Sequence, residues 1–156
     1  MTDRRIALLL TRPLAQSKGF VNLFEGVSQP SPVHICISPL FEIIFQGPLP
    51  DMSPYRSLIF TSSNGVRAFS QLKPSSILPS FTVGKVTAET AISVGLPAQM
   101  LGLDVQDFTE AILSLKPETP CLHLRGDISR SALATQLSNA ALATDEAIVY
   151  RQRGLP

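Results

Sequence analysis

Along most of the chain, short apolar runs typical of strands alternate with segments whose apolar residues have helical spacing. Short apolar runs bounded by glycine, proline or polar residues predict five successive strands: LIFTS (58–62), FTVG (81–84), AQMLG (98–102), CLHLRG (121–126) and AIVY (147–150). Helical spacing fills the gaps and predicts helices over 64–72, 88–94, 107–115 and 129–139. Because this alternation lacks two-residue hairpin turns, it predicts right-handed crossovers and a doubly wound parallel sheet, an α/β fold.

Capping residues predict the ends of these helices. Gly95 stands where a C-terminal glycine cap would end the second helix. Asp107, followed three residues later by Glu110, forms a capping-box-like start for the third helix. Ser129 is expected to begin the fourth helix.

The first part of the chain predicts a strand, a helix and a second strand. Ile6–Leu10 is a continuous apolar run typical of a buried strand, Thr11 can cap the following helix, and Gly26 ends it. Val33–Ile37 then gives the second strand, so this segment is the start of a βαβ unit. Four prolines between 37 and 54 predict an extended connector and a domain boundary.

Composition narrows the classes of function. The 156 residues are 44% hydrophobic and carry a formal net charge of +1, so the chain can bury a core but offers no basic face for nucleic acid or anionic lipid. No apolar stretch approaches the ~20 residues that cross a bilayer, and the first apolar run is too short for a signal peptide. We therefore expect a soluble, cytoplasmic protein without a membrane or nucleic-acid partner.

Cysteine and histidine spacing gives no metal signature. Cys36 and Cys121 lie far apart and form no CxxC pair, so both are expected to be ordinary buried thiols. His34 and His123 each lie in an apolar alternating run without an HxxxH or HExxH companion, which favours packed strand histidines. We expect no metal site.

Three strand-to-helix turns hold the candidate chemistry. Ligands of parallel α/β sheets bind beyond the carboxyl ends of the strands, where loops lead into helix N-termini. The turns after the first, second and fourth strands of the sheet carry hydroxyls, glycines and a few cations: Thr61, Ser62, Ser63 and Asn64; Gly84, Lys85 and Thr87; Arg125, Gly126, Ser129 and Arg130. The N–H groups of three helix N-termini at one edge predict a site for carboxylate or phosphate groups. The alternative is that Ser63, Thr87 and Ser129 merely cap their helices.

Common catalytic fingerprints do not occur at these turns. No GxGxxG follows a strand, VGKVTA lacks the upstream glycine of GxxxxGK(S/T), and no GxSxG elbow is present. A bound nucleotide and a serine nucleophile are therefore not indicated.

Six segments in order carry a resemblance to a known family. They are TRPLAQ (11–16), ISPLFEI (37–43), LIFTSSNGVRAF (58–69), FTVGKVTAETAISVGL (81–96), LHLRGDISRSALATQL (122–137) and IVYRQ (148–152). Together they resemble uroporphyrinogen-III synthase over nearly the whole chain. The resemblance implies two similar flavodoxin-like α/β domains, the second inserted into the first, and joined by a two-stranded ladder.

The resemblance also implies a domain organisation for this chain. It places the first piece of domain 1 at 1–36, a ladder strand and linker at 37–54, the inserted α/β domain 2 at 55–147 and the returning ladder strand at 148–156. Domain 1 would be present only as its first βαβ piece. We accordingly expect the chain to be a fragment of a longer synthase or to self-associate through the incomplete domain.

The family chemistry implied by the resemblance is a hydro-lyase reaction in tetrapyrrole (heme, siroheme and cobalamin) biosynthesis. The linear tetrapyrrole hydroxymethylbilane is cyclised to uroporphyrinogen III with inversion of ring D, and no cofactor is needed. Tyr150 matches the family tyrosine thought to assist departure of the hydroxyl. Thr87 matches the threonine of the family's GxxTA turn, where its hydroxyl or amide would hold a substrate carboxylate. The resemblance therefore implies Tyr150 and Thr87 as the catalytic residues. The expected substrate-binding residues are Arg12, Pro13, Gln16, Thr61, Ser62, Ser63, Asn64, Gly84, Lys85, Val86, Arg125, Gly126 and Arg130.

The same residues also allow other interpretations. Tyr150 is equally well explained as a strand tyrosine packed at the ladder. The whole chain could instead be a non-catalytic binding domain for a carboxylate-bearing small molecule. A flavodoxin-like electron carrier is less favoured, since only 6% of the residues are aromatic and no aromatic pair flanks the candidate loops.

Overall fold

The strand-like and helix-like segments fold into two units. A computed structural model of the chain describes residues 6–27, 33–74, 77–129 and 131–156. The first unit comprises residues 1–44 and 152–156, and the second comprises residues 45–151.

The first unit contains a βαβ arrangement. Strand β1 (Ile6–Leu10) leads through helix α1 (Leu14–Val27) to strand β2 (Val33–Ile37), and the two strands pair in parallel. The Pro13 carbonyl accepts hydrogen bonds from the N–H groups of Gln16 (2.9 Å) and Ser17 (3.0 Å). The cap position is therefore Pro13 and not the predicted Thr11, and α1 runs one residue past the predicted stop at Gly26.

Several side chains of the first unit are more exposed than predicted. The apolar run of β1 is not buried, since Leu9 is 59% exposed. His34 and Cys36, which alternate with half-buried apolar residues along β2, are exposed as well, so the predictions of a packed histidine and a buried thiol are wrong here. The reason is that α1 is the only described helix of this unit and cannot cover both faces of the two strands.

The second unit is built on parallel strands. Its elements are β4 (Ser57–Phe60), α2 (Ser63–Gln71), β5 (Ser80–Val83), α3 (Lys85–Ser93), β6 (Ala98–Gly102), α4 (Val105–Leu115), β7 (Cys121–Gly126), α5 (Leu133–Asn139) and β8 (Thr144–Gly154), whose last residues belong to the first unit. Neighbouring strands in the order β8-β7-β4-β5-β6 are all parallel. The predicted parallel α/β fold is confirmed. Within the described ranges, no helix is long and apolar enough to span a bilayer.

A further strand, β3 (Phe41–Phe45), lies beside β8. The Gln46 N–H donates to the Val149 carbonyl at 2.8 Å, and the Leu155 N–H donates to the Leu40 carbonyl at 2.9 Å. Because later residues of one strand meet earlier residues of the other, β3 and β8 run antiparallel. These are the two segments expected to form the ladder.

Helices cover both faces of the second unit's sheet. On one face, a cluster of buried side chains joins Ile59 of β4 to α4 and α5 through Phe108, Ile112, Leu133 and Leu137. The other face is covered by α2, which packs against α3, and the Phe60 and Phe69 rings meet edge to face at 5.8 Å. Full burial of such side chains stabilises the fold by roughly 1.5–3 kcal/mol each.

Three helices of the second unit begin away from their predicted starts, and the first of them, α3, begins at Lys85 and not at residue 88. The Asp104 carboxylate accepts the Asp107 N–H at 2.9 Å, so Asp104 is the cap of α4 and the predicted start at Asp107 is wrong by one turn. Position 102 leaves no room for a side chain at this turn, since a Cβ added to Gly102 would clash with the Phe108 nitrogen. Helix α5 begins at Leu133 and not at Ser129, whose hydroxyl donates instead to the Ser131 carbonyl at 2.8 Å.

Candidate functional site

The carboxyl ends of strands β4 to β8 lie along one edge of the second unit's sheet, because these strands are all parallel. The turns after β4, β5 and β7 therefore share this edge, as the sequence predicted. The helix N-termini at these turns differ in how many of their backbone N–H groups already have a hydrogen-bond acceptor within the protein.

The turn between β5 and α3 leaves backbone amides available. Gly84 has φ 76° and ψ 149°, a conformation that favours glycine, and its N–H donates to the Gly102 carbonyl at 2.8 Å. The first helical hydrogen bond runs from the Ala88 N–H to the Gly84 carbonyl, and no side chain caps the helix. The N–H groups of Lys85, Val86 and Thr87 thus precede the first helical hydrogen bond and have no acceptor within the helix. Such a turn can bind an anion through backbone N–H groups.

The side chains of the same turn contribute less. Lys85 is exposed and lies 3.6 Å from Glu89, one turn along the helix, and the Val86 side chain is also exposed. The Thr87 side chain is 6% exposed and packs inward, so its amide is better placed than its hydroxyl to meet a ligand. The alternative of Thr87 as a helix cap is wrong, because Gly84 occupies that position.

The turn between β4 and α2 is closed by its own cap. The Ser62 hydroxyl accepts the Asn64 N–H at 3.1 Å, and the Ser62 carbonyl accepts the Gly65 N–H at 3.1 Å. The capping alternative therefore holds for this turn, but with Ser62 as the cap; Ser63 is the first helical residue. This N-terminus is a weaker anion site than that of α3.

Thr61 begins a chain of polar groups that reaches into the sheet. Its hydroxyl lies 3.2 Å from Nε2 of His123, a β7 residue that is only 1% exposed. Nδ1 of the same ring lies 3.6 Å from Glu146 Oε1 on β8. Burial lowers the pKa of His123 from 6.5 to about 4, with the Arg125 charge acting in the same direction and the Glu146 carboxylate opposing it. His123 is therefore neutral at pH 7.

The turn after β7 holds a cation that is already paired. Arg125 donates from Nε and Nη2 to Glu146 Oε2, both at 2.8 Å, and from Nη1 to the Gly126 carbonyl at 2.8 Å. A pocket of about 400 Å³ opens beside it and is lined by Arg125, Asp127, Ser129, Ser131, Ala132, Thr135 and Glu146. Since two carboxylates and one guanidinium line this pocket, it favours an anion less than the α3 turn does. Arg130 lies outside the described residues.

Tyr150 lies on β8 opposite Gly126, the last residue of β7, and packs against it. Its ring is 8% exposed, and a Cβ on Gly126 would lie 2.6 Å from the ring's Cε2 atom and 3.0 Å from the hydroxyl oxygen. The Tyr150 carbonyl also accepts the Asp127 N–H at 3.0 Å. Glycine at position 126 is what lets the phenol lie across the carboxyl end of β7.

Comparisons with known proteins place the chain in a family. Residues 32–155 match the family described as uroporphyrinogen-III synthase HemD, a match over more than half of the chain. The chain belongs to this family. No curated protein matches it.

Solved structures show the same fold at low sequence identity. A uroporphyrinogen-III synthetase from Helicobacter pylori superposes with a TM-score of 0.67 at 20% identity, covering 98% of this chain and 64% of the other. A mutant uroporphyrinogen III synthase from Thermus thermophilus gives a TM-score of 0.58 at 16% identity, covering 97% and 64%. This chain therefore spans just under two thirds of the length of these structures.

The residues predicted from the resemblance to uroporphyrinogen-III synthases fall in both units. Thr61 to Asn64, Gly84 to Thr87, Arg125, Gly126 and Tyr150 share the carboxyl edge of the second unit. Arg12, Pro13 and Gln16 lie at the start of α1 in the first unit, where the Ser17 hydroxyl donates to the Arg12 carbonyl at 3.0 Å. Their roles in binding stay predictions.

The sequence did not predict a role for His123 or Glu146. The prediction that His123 is a packed strand histidine is confirmed, but its contact with the candidate residue Thr61, 62 positions away, gave no local signal. Among the described residues, no group of three or more His, Cys, Asp or Glu side chains is placed to hold a metal ion.

Proposed function

We propose that this chain performs the reaction of its family, the cyclisation of hydroxymethylbilane to uroporphyrinogen III with inversion of ring D. The chemistry is a hydro-lyase step of tetrapyrrole biosynthesis, and we place it in the cytoplasm. The observation that carries the proposal is the α3 N-terminus, where a glycine turn presents uncapped amides at the carboxyl edge of a synthase-family sheet.

The α3 turn suits the proposed substrate. Hydroxymethylbilane carries eight carboxylates, and the N–H groups of Lys85, Val86 and Thr87 converge where the helix dipole is positive. A carboxylate bound there needs no dedicated cation, which agrees with the near-zero net charge of +1. Thr87 would hold a substrate carboxylate mainly through its amide.

Tyr150 is the proposed catalytic donor. Loss of the substrate's terminal hydroxyl as water leaves a cationic azafulvene, and a phenol can donate a hydrogen bond to the departing oxygen. The ring's position across Gly126 supports this role because it holds the hydroxyl at the carboxyl edge. Most of the rate enhancement would come from folding the flexible tetrapyrrole so that its two ends meet.

The isomer of the product tests the proposal. Hydroxymethylbilane generated enzymatically closes without a synthase to the type I isomer, so type I and type III uroporphyrinogen are resolved with and without this chain. We expect type III in its presence. Type I alone, with correctly folded protein, would show that the chain is not a synthase as it stands.

A second candidate is a non-catalytic domain that binds carboxylate-bearing small molecules. It is favoured by the α3 turn, where the helix N-terminus has no side-chain cap and can bind a carboxylate without any catalytic group. Equilibrium dialysis with uroporphyrinogen separates the candidates: binding without type III formation indicates the binding domain, and binding with type III formation indicates the synthase.

We also propose that the chain self-associates through its first unit. β1 contains no charged residue, and its apolar side chains Ile6 and Leu9 are mostly exposed. Exposed apolar strand faces of this kind favour association with a second copy.

A further inference from the structure

A buried histidine connects Thr61, in the turn between β4 and α2, to the partly exposed carboxylate of Glu146 on β8. His123 Nε2 lies 3.2 Å from the Thr61 hydroxyl, and its Nδ1 faces Glu146 Oε1 at 3.6 Å. Nδ1 is fully buried and has no hydrogen-bond partner within 3.5 Å. A neutral imidazole carries one N–H, so the proton lies either on Nε2, facing Thr61, or on Nδ1, facing Glu146.

The charges around the ring favour the tautomer with the proton on Nδ1. The Glu146 carboxylate uses its Oε2 atom for Arg125, which donates to it twice, and turns its Oε1 atom toward the ring. An N–H at Nδ1 would point at this carboxylate oxygen, whereas a lone pair on the buried Nδ1 atom would face its negative charge at 3.6 Å. The acidic and basic groups that act on the ring are Glu146 on β8 and Arg125 on β7.

The Nδ1–H tautomer of His123 determines how the Thr61 hydroxyl can bond to another molecule. With the proton on Nδ1, Nε2 is an acceptor and takes the hydroxyl hydrogen of Thr61. A threonine hydroxyl has one hydrogen, so only its lone pairs then remain for another molecule. Thr61 is half-buried at the first position after β4, beside the capped N-terminus of α2.

We propose that Glu146 fixes the Nδ1–H tautomer of His123, so that Thr61 accepts a hydrogen bond from an N–H donor of the ligand and does not bind a carboxylate. His123 and Glu146 are positioning residues in this scheme. The inference rests on the proposed function, since a tetrapyrrole offers pyrrole N–H groups as well as carboxylates. It divides the site chemically: amides of the α3 turn bind carboxylates, and Thr61 selects a pyrrole nitrogen.

The tautomer is measured directly by NMR. The chain has two histidines, so a two-bond ¹H–¹⁵N spectrum of the full chain shows two imidazoles, and His34→Gln assigns them. We expect His123 to be protonated at Nδ1 at pH 7. Glu146→Gln should move part of the population to Nε2–H, because a neutral amide can also donate to Nδ1. A wild-type ring protonated at Nε2, or an unchanged tautomer in Glu146→Gln, would overturn the inference.

Binding of two probes tests the role of Thr61. Uroporphyrinogen I carries carboxylates and pyrrole N–H groups, whereas benzenehexacarboxylate carries carboxylates alone. We expect Thr61→Val to weaken uroporphyrinogen binding about threefold to tenfold, the value of one hydrogen bond, and to leave benzenehexacarboxylate binding unchanged. Thr61→Ser keeps the hydroxyl and should restore binding. Equal losses for both probes in Thr61→Val would show that Thr61 donates to a carboxylate.

The two failures are distinguishable. If the wild-type chain binds neither probe, the proposed function is wrong and the assignment of a ligand to Thr61 is wrong with it. If the chain binds both probes and forms type III product but His123 is protonated at Nε2, the proposed function stands and only this inference is overturned.

Discussion

At the scale of single residues, His123 makes the stability of the second unit depend on pH. Burial holds its folded-state pKa at about 4, below the 6.5 of an unfolded histidine. Between these values the unfolded chain binds more protons than the folded one, so the free energy of unfolding rises with pH. The contribution of His123 is therefore complete above about pH 6.5 and is lost progressively as the pH falls to about 4. The expected loss is on the order of 3 kcal/mol.

Urea unfolding followed by circular dichroism across this pH range checks the prediction. His123→Gln should flatten the pH dependence, because glutamine does not titrate and can still reach Thr61 and Glu146. His34→Gln is the matched control, since His34 is exposed on β2, and it should keep the wild-type slope. An unchanged slope in His123→Gln would contradict the assignment.

The two tyrosines allow a matched test of catalysis. Tyr150→Phe keeps the ring against Gly126 and removes only the hydroxyl, so we expect folding to be retained and kcat for type III formation to fall at least about tenfold. Tyr55→Phe removes the other tyrosine hydroxyl, which donates to Asp145 at 3.0 Å near the opposite end of β8. Asp145 and Tyr150 are five residue steps apart along the strand, which is about 16 Å. Tyr55→Phe should leave kcat unchanged, and full activity in Tyr150→Phe would remove its proposed role.

At the scale of elements, the α3 turn depends on its glycine. Gly84 has φ +76°, and the nearest atom to an added Cβ would be the Leu103 carbonyl oxygen at 3.9 Å, so Gly84→Ala introduces backbone strain and no clash. Such strain costs about 1–3 kcal/mol or moves the turn, and either way the amides of α3 lose their alignment. We expect weaker binding of both uroporphyrinogen and benzenehexacarboxylate.

Gly95 is the matched control for this substitution. It has φ +85° with no atom within 4 Å of an added Cβ, and it ends α3 at the opposite end of the helix from the candidate site. Gly95→Ala should lower the melting temperature to a similar extent and leave probe binding unchanged. Equal binding losses in both variants would mean that general destabilisation, and not the α3 turn, is responsible.

Local patterns predict elements well where the cause is local. The strands of the second unit follow from apolar runs, and the stop of α3 follows from Gly95, because each depends on neighbouring residues. The predicted start of α4 is one turn late because Asp104 and Asp107 are both suitable caps, and their local sequence does not distinguish them. The start of α5 was missed because Ser129 bonds to Ser131 within the loop.

The candidate site shows the same division between local and distant causes. The three turns were predicted because parallel strands bring their carboxyl ends to one edge. The sequence does not predict which turn has backbone amides left for a ligand, because that depends on the residue that caps each helix. Ser62 caps α2 with its side chain, whereas Gly84, at the cap of α3, has no side chain. The contact between Thr61 and His123 joins residues 62 positions apart, which only the strand order brings together.

At the scale of the whole molecule, the two units differ in how completely they bury their apolar residues. β4 in the second unit is fully buried, whereas the apolar β1 of the first unit is largely exposed. A parallel strand that is apolar on both faces is stable when both faces are covered. The apolar surface of the first unit therefore favours contact with further protein.

Self-association through β1 is tested by sedimentation velocity over a range of protein concentrations. We expect the weight-average mass to rise with concentration, and Leu9→Glu, which would place an uncompensated charge in the apolar contact, to weaken association at least about tenfold. Leu103→Glu is the matched control, because Leu103 is 75% exposed in the second unit and follows β6. A constant monomer mass at all concentrations would contradict the proposal. Equal weakening by Leu103→Glu would instead assign the contact to the second unit, since a substitution there should not affect pairing between copies of β1.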